Sequence, residues 1–192
     1  MTTSPGNLQT DKKTLLQTEE IRRTMERLAY EVIERHGEDA ALALVGIQRR
    51  GVELARRLKS ILESRFGREI PLGSLDINLY RDDWTNMDSQ PQIHKTRIPF
   101  AVDGQEIILV DDVLFTGRTI RAALEAILDY GRPKRVELLV LVDRGHRELP
   151  IHADYVGKKV NTSLQEQVDV HVREQDGEDG VILSAKGEHH VS

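Results

Sequence analysis

The 192 residues are 39% hydrophobic and 31% charged, enough for one α/β domain around a single core, with no apolar run near the roughly 20 residues that a membrane-spanning helix needs. There is no cysteine, which excludes disulfide frameworks, thiol catalysis and thiolate metal sites. A net charge of −5 argues against a surface that binds nucleic acid all over but leaves room for a local basic face, and part of the acidic excess lies between Glu174 and Glu188.

In chain order, residues 1–17, with Pro5 and Gly6, read as a flexible leader. Nothing in it resembles an apolar stretch with a small-residue cleavage site, so the expected compartment is the cytoplasm. From Glu19 to His36 the apolar residues Ile21, Met25, Leu28, Val32 and Ile33 recur at helical spacing, with Thr18 as expected N-cap and Gly37 just beyond the end. Residues 41–47, ALALVGI, form a continuous apolar run that suits a strand buried on both faces. A helix over 52–66 and an alternating strand over 69–80 follow.

Residues 81–99 have neither period and contain two prolines, which marks a long loop and a candidate lid over a site. Strand 106–110, helix 118–130 and strand 135–142 then follow in the order of a βαβ unit, so the expected class is α/β, an open and mostly parallel sheet flanked by helices. Beyond Asp143 short strands are expected at 155–156, 168–172 and 181–184. One domain over 18–184 is expected, then a flexible tail over 185–192. The histidines, His189 and His190 among them, show no metal-ligand spacing.

The segment that points to chemistry is IILVDDVLFTGRT. The apolar strand Ile107, Ile108, Leu109 and Val110 leads into Asp111 and Asp112, and then Val113, Leu114, Phe115, Thr116, Gly117, Arg118 and Thr119 turn into a helix. Ligands of open parallel sheets bind beyond the carboxyl ends of strands, and a helix N-terminus offers free N–H donors to a phosphate. Paired carboxylates beside such a cradle suit a sugar phosphate, the acids accepting from ribose hydroxyls. Alone, the acid pair would equally suit a strand end capping the next helix.

In its full context DDVLFTGRT resembles the phosphoribosyl pyrophosphate (PRPP) signature of type I phosphoribosyltransferases. VGIQRRG (45–51), LDINLYRDD (75–83), VDDVLFTGRT (110–119) and LVDRGHRELPIHADYVGK (141–158) stand in the order found in the bacterial bifunctional PyrR family, whose members are uracil phosphoribosyltransferases and pyrimidine-operon attenuation regulators. The resemblance covers about residues 18–163. It implies a Rossmann-like core with a mobile lid and a small hood formed mainly by 143–184. It also implies magnesium carried with PRPP, with no direct protein ligand assigned.

By the same resemblance Gln48, Arg49, Arg50 and Gly51 form the pyrophosphate loop, with Arg50, Asp111 and Asp112 central to catalysis. Tyr80 and Arg81 open the lid, and Val142, Asp143 and Arg144 lie where the base is recognised. Purine enzymes usually carry an acid at the position of Phe115. The regulatory activity implies a leader mRNA of pyrimidine-biosynthesis genes as partner, with UMP and UTP as co-ligands and a homodimer or higher homo-oligomer as the assembly. Arg27, Arg35 and Lys158 stand where the family has basic residues implicated in RNA contact, whereas Glu26, Tyr30 and His152 depart from its pattern. Two other readings stay open: an RNA-binding regulator whose pocket only senses nucleotide, and a purine phosphoribosyltransferase.

Overall fold

A computed structural model describes residues 12–37, 39–80 and 95–185. The elements run β1 (Lys13–Gln17), α1 (Thr18–His36), β2 (Leu42–Ile47), α2 (Arg50–Phe66), β3 (Leu72–Leu75), a 3-10 turn (Asn78–Tyr80), β4 (Glu106–Leu114), α3 (Arg118–Leu128), β5 (Arg135–Asp143), β6 (Tyr155–Lys159), β7 (Glu166–His171), α4 (Arg173–Asp176) and β8 (Gly180–Ala185).

Five strands form a parallel sheet in the order β3-β2-β4-β5-β6. The sequence explains why its centre is parallel: β2 is buried at every position, and β4 and β5 are buried through their middles, as strands covered on both faces must be. On one face Leu28 and Val32 of α1 and Leu54 and Leu58 of α2 pack over Leu44, Ile108 and Val110. On the other, Ile120, Ala123 and Ile127 of α3 pack over Val45, Ile107 and Leu109. The chain passes from β2 outward to β3, then returns to the other side of β2 to lay down β4. The order therefore reverses between β2 and β4, and beyond the carboxyl ends of those two strands a crevice is left uncovered by either crossover.

Several boundaries differ from expectation. Residues 13–17 belong to no flexible leader: they pair antiparallel with β8, which pairs in turn with β7, in a second, three-stranded sheet. Residues 1–11 lie outside the described residues, as do 81–94, which hold most of the expected lid and Arg81, and 186–192 with His189 and His190. The strand expected over 69–80 is confined to Leu72–Leu75, where it pairs with β2, and the chain then tightens into the 3-10 turn. Arg97, at the expected lid's far end, exchanges two backbone hydrogen bonds of 2.8 Å with Ser74.

The hood is not a continuous block over 143–184, because Tyr155–Lys159 joins the main sheet as its edge and the N-terminal strand β1 completes the small one. α1 starts one residue early, with Gln17 as N-cap, and the Gln17 N–H donates to the Glu20 carboxylate at 2.8 Å. Gly37, at φ 72°, ends it, donating to the Ile33 carbonyl.

At the amino ends of the strands, opposite the crevice, buried His36 bridges Glu106 (Nδ1, 2.6 Å) and Glu137 (Nε2, 2.7 Å). The Tyr155 hydroxyl donates to Glu137 at 2.8 Å, Arg35 reaches Glu137 at 3.1 Å, and Lys134 and Arg135 hold Glu106. Hydrogen bonding to Lys134, Arg135 and His36, set against burial, brings the Glu106 carboxyl down to about 2. The cluster ties α1 to the amino ends of β4 and β5.

Candidate active site at the strand ends

β4 does not stop at the two acids. It runs on through them to Leu114, in register with β5, so that Asp111 faces Val140 and Leu114 faces Asp143 across the ladder. Ile107, Ile108, Leu109 and Val110, counted in the phosphate signature by sequence, are wholly buried and form the floor that fixes the acids.

Asp111 is buried and accepts from the Asp112 N–H at 2.9 Å, while Asp112 accepts from the Val113 N–H at 2.7 Å. Burial raises the Asp112 carboxyl above the usual aspartate range against the pull of the Val113 N–H and the Arg50 charge. A carboxylate kept charged there is poorly solvated, and it gains from any hydroxyl or cation brought to it.

Next, Val113 to Ile120 wrap a cavity of about 230 Å³. Gly117, at φ 93°, is the N-cap of α3, a conformation a side chain at that position would resist. The first-turn N–H groups of α3 have no carbonyl of their own helix to take, an arrangement that favours a phosphate, and the first of them, from Arg118, donates to the Thr116 hydroxyl at 3.3 Å. Thr116 holds the turn to the next loop through its carbonyl, which accepts from Glu148 (2.9 Å) and Leu149 (3.2 Å). Arg118 pairs with Glu148 at 2.7 Å, and Thr119, half-buried, lines the cavity.

Gln48 to Gly51 lie beside this turn at the end of β2. The Gln48–Arg49 peptide is cis, and the Gln48 N–H donates to the Leu75 carbonyl at 2.9 Å. Gly51 meets the backbone of β4 at Val110. Arg50 forms a two-point ion pair with Asp176 of α4 (3.0 and 2.8 Å), which raises its pKa, an effect to which nearby Asp112 adds. Gln175 accepts from Arg49 Nε at 3.5 Å and donates to the Arg49 carbonyl at 3.0 Å. Acids of the stretch that carries part of the acidic excess, Glu174, Asp176 and Asp179, are therefore spent on Arg50 and Arg57. Sequence reasoning missed Asp176 because its partner lies 126 residues away.

The expected base-recognition residues have mixed placements. Val142 is wholly buried in the core. Asp143 is pushed up by burial, but its ion pair with Arg147 (2.6 Å) and a hydrogen bond from the Gly145 N–H (3.0 Å) outweigh that and lower it. The Arg144 N–H is spent on the Leu114 carbonyl at 3.1 Å. Arg144 is buried, which depresses its pKa, and its guanidinium stacks 4.0 Å from the Phe115 ring centroid and donates to the Glu166 carbonyl at 2.9 Å. Arg147, not singled out by sequence, also donates to the carbonyls of Phe115 (2.8 Å), Gly145 (3.1 Å) and Ile151 (3.1 Å). One guanidinium thus fastens the end of β4 to the end of β5.

Tyr80 is turned to Asp129 at 2.6 Å, beyond the C-terminus of α3, and not to the pyrophosphate loop. The three cations assigned to RNA are all engaged within the fold. Arg27 pairs with Glu31 and donates to the Val156 and Gly157 carbonyls, Arg35 reaches Glu137 and Asp154, and Lys158 donates to the Leu15 carbonyl.

Among the described residues no group of three His, Asp or Glu side chains forms a metal cage. The donor set instead fits magnesium that arrives on a diphosphate and finds one or two carboxylates, the hard-oxygen, water-retaining habit of that ion. No helix among the described residues is long and apolar enough to cross a membrane.

The family model of the phosphoribosyl transferase domain matches residues 11–175. The chain is 54% identical over 173 residues to the bifunctional protein PyrR of Pelotomaculum thermopropionicum, covering 90% of this chain and 96% of that one. It is also 54% identical to the PyrR of Thermus aquaticus, over 91% and 97% of the two chains. In structure it resembles a hypoxanthine phosphoribosyltransferase of Staphylococcus aureus (TM-score 0.65, 22% identity, 92% and 93% covered) and that of Trypanosoma cruzi (TM-score 0.69, 18% identity, 94% of each). At those identities the likeness establishes the fold alone.

Proposed function

The chain belongs to the phosphoribosyl transferase domain family and, within it, to the bifunctional PyrR proteins, and from that membership we propose that it transfers the phosphoribosyl group of PRPP to uracil, giving UMP and diphosphate, and also regulates pyrimidine-biosynthesis genes by binding their leader mRNA. The observation that carries the catalytic half is the meeting, at the reversal of strand order, of the Asp111–Asp112 pair, the cavity of Val113–Ile120 and the Arg50 guanidinium.

The roles follow from what each group offers. The N–H groups and hydroxyls between Phe115 and Thr119 take the 5′-phosphate. Asp111 and Asp112 accept from the ribose hydroxyls, and charge developing on the sugar as its bond to pyrophosphate lengthens eases the cost of keeping Asp112 ionised beside it. Arg50 neutralises the departing diphosphate. Bound magnesium supplies further neutralisation of the diphosphate oxygens.

Phe115, held by Arg144, offers the base an apolar ring and no proton acceptor. That favours uracil, whose ring N–H is already acidic, over a purine that needs help in losing a proton. The test compares diphosphate release from PRPP and magnesium with uracil, hypoxanthine, guanine and no base. Release that depends on uracil supports the reading, and release with purines alone overturns it.

The regulatory half rests on the relatives' shared name and on the arginine-rich first helix. Because Arg27, Arg35 and Lys158 already have partners in the fold, the RNA surface needs more than these three, and we assign it to an assembly of two or more copies. With UMP or UTP present, a salt-sensitive mobility shift of leader RNA is expected, along with a sedimentation mass above one chain. Both activities belong in the cytoplasm, where PRPP and nascent mRNA are found.

A further inference from the structure

Arg50 donates through Nε to Asp176 Oδ2 (3.0 Å) and through Nη2 to Oδ1 (2.8 Å), a side-on grip that uses one edge of the guanidinium fork. An arginine carries five N–H donors, so the Nη1 end of the fork and the second Nη2 hydrogen stay available. Asp176 is itself fixed, since its Oδ2 also accepts from the Val172 N–H at 2.8 Å and Gln175, next to it, holds the Arg49 carbonyl at 3.0 Å. The short helix carrying these residues is held down separately by Arg57, which pairs with Glu174 (2.6 Å) and Asp179 (2.7 Å). Arg50 is thus gripped by a fixed acid of the hood, while the charge of Asp112 acts on it as well.

We propose that Asp176 is a positioning residue for the transfer reaction: it holds the guanidinium of Arg50 side-on so that the free end of the fork is presented to pyrophosphate. The inference rests on the assignment of residues 48–51 as the pyrophosphate loop. Two effects of Asp176 oppose each other. Its negative charge repels pyrophosphate, but across solvent and at physiological salt this is screened. An arginine left to sample its rotamers gives up on the order of tenfold or more in affinity when it must be ordered by the ligand. Positioning therefore outweighs repulsion, and the hood, by way of Asp176, becomes part of the pyrophosphate site even though it does not touch the ligand.

The test is the affinity of magnesium pyrophosphate, measured by titration calorimetry on the full chain, together with KM for pyrophosphate in the reverse reaction with UMP. Asp176→Asn is expected to weaken pyrophosphate roughly tenfold while KM for UMP stays within about twofold. Asp176→Glu, which keeps the charge one methylene out of place, is expected to fall in between and guards against poor folding of the neutral variant.

Glu174→Gln loosens the same helix from Arg57 without touching Arg50, and pyrophosphate affinity is expected to hold. Unchanged or tighter binding in a folded Asp176→Asn overturns the inference, as does an equal loss in Glu174→Gln, which would make the effect one of hood docking in general. A wild-type chain that binds pyrophosphate but turns over neither uracil nor UMP defeats the functional reading alone, and the calorimetric comparison still decides the role of Asp176. A wild-type chain that binds no pyrophosphate defeats this inference even where PRPP turnover survives.

Discussion

Gly51 sits so close to the Val110 carbonyl that a Cβ built on it would lie 2.4 Å from that oxygen and 3.1 Å from the Asp111 Cα. The first turn of α2, which carries Arg50, is thereby set directly against the strand that carries the two acids. Gly51→Ala must push the two backbones apart. We expect a destabilisation of about 1–3 kcal/mol and a fall in kcat/KM of roughly a hundredfold, because reacting groups misplaced by an ångström lose that much. Thermal melting and initial rates check both, and a variant with native kinetics would show that the contact does not set the site.

Burial opposes ionisation of Asp112 in the fold. Its carboxyl is raised by burial, so between the ordinary aspartate pKa and the raised one the folded state binds more protons than the unfolded, and stability falls as pH rises through that window. Asp112→Asn is expected to melt higher than the parent at neutral pH, by roughly 2–4 °C for each kcal/mol recovered, while losing most of its activity. A lower melting temperature would contradict this account of the acid.

Arg147 joins the phosphate side of the site to the base side. Arg147→Gln releases the Phe115 carbonyl and the Asp143 carboxylate together. KM for PRPP and KM for uracil should both rise, each by roughly tenfold, as when the supports of ligand-binding groups are removed. A rise in only one of them would show that the two subsites are held independently.

Arg35 tests the division between fold and RNA surface. It lies 3.1 Å from the buried Glu137 Oε1, with Arg135 next at 3.5 Å. Arg35→Ala should lower stability by about 1–3 kcal/mol with no RNA present. If the melting curve does not move, Arg35 belongs to the surface and its loss should appear in RNA affinity instead.

The parts of this site that lie close together in sequence are legible there. DDVLFTGRT holds the acids, the phosphate turn and the helix start within nine residues, and the run ALALVGI marks a strand buried on both faces by composition alone. What the sequence hides is held by long-range pairing. β1 is five residues that gain their strand character only from β8, more than 150 positions on. Asp176 sits in an acidic stretch that reads as solvated until the fold lays it on Arg50. Arg27, Arg35 and Lys158 share a charge pattern with a nucleic-acid face, and only the backbone carbonyls and acids around them show that each already has a structural task. β4 runs past the expected end at 110 because, although two aspartates look like a strand terminus, register with β5 carries the ladder through them.

The central claim is that Asp111 and Asp112, with the turn that follows, hold the ribose phosphate of PRPP. Titration calorimetry of PRPP with magnesium into the wild-type chain and into the double variant Asp111→Asn with Asp112→Asn measures it without reliance on the choice of base. The account predicts binding to the wild type and a loss of roughly a hundredfold or more in the double variant, the order expected when two charged hydrogen-bond acceptors are removed. Equal affinity in a folded double variant would contradict it and move the PRPP site elsewhere.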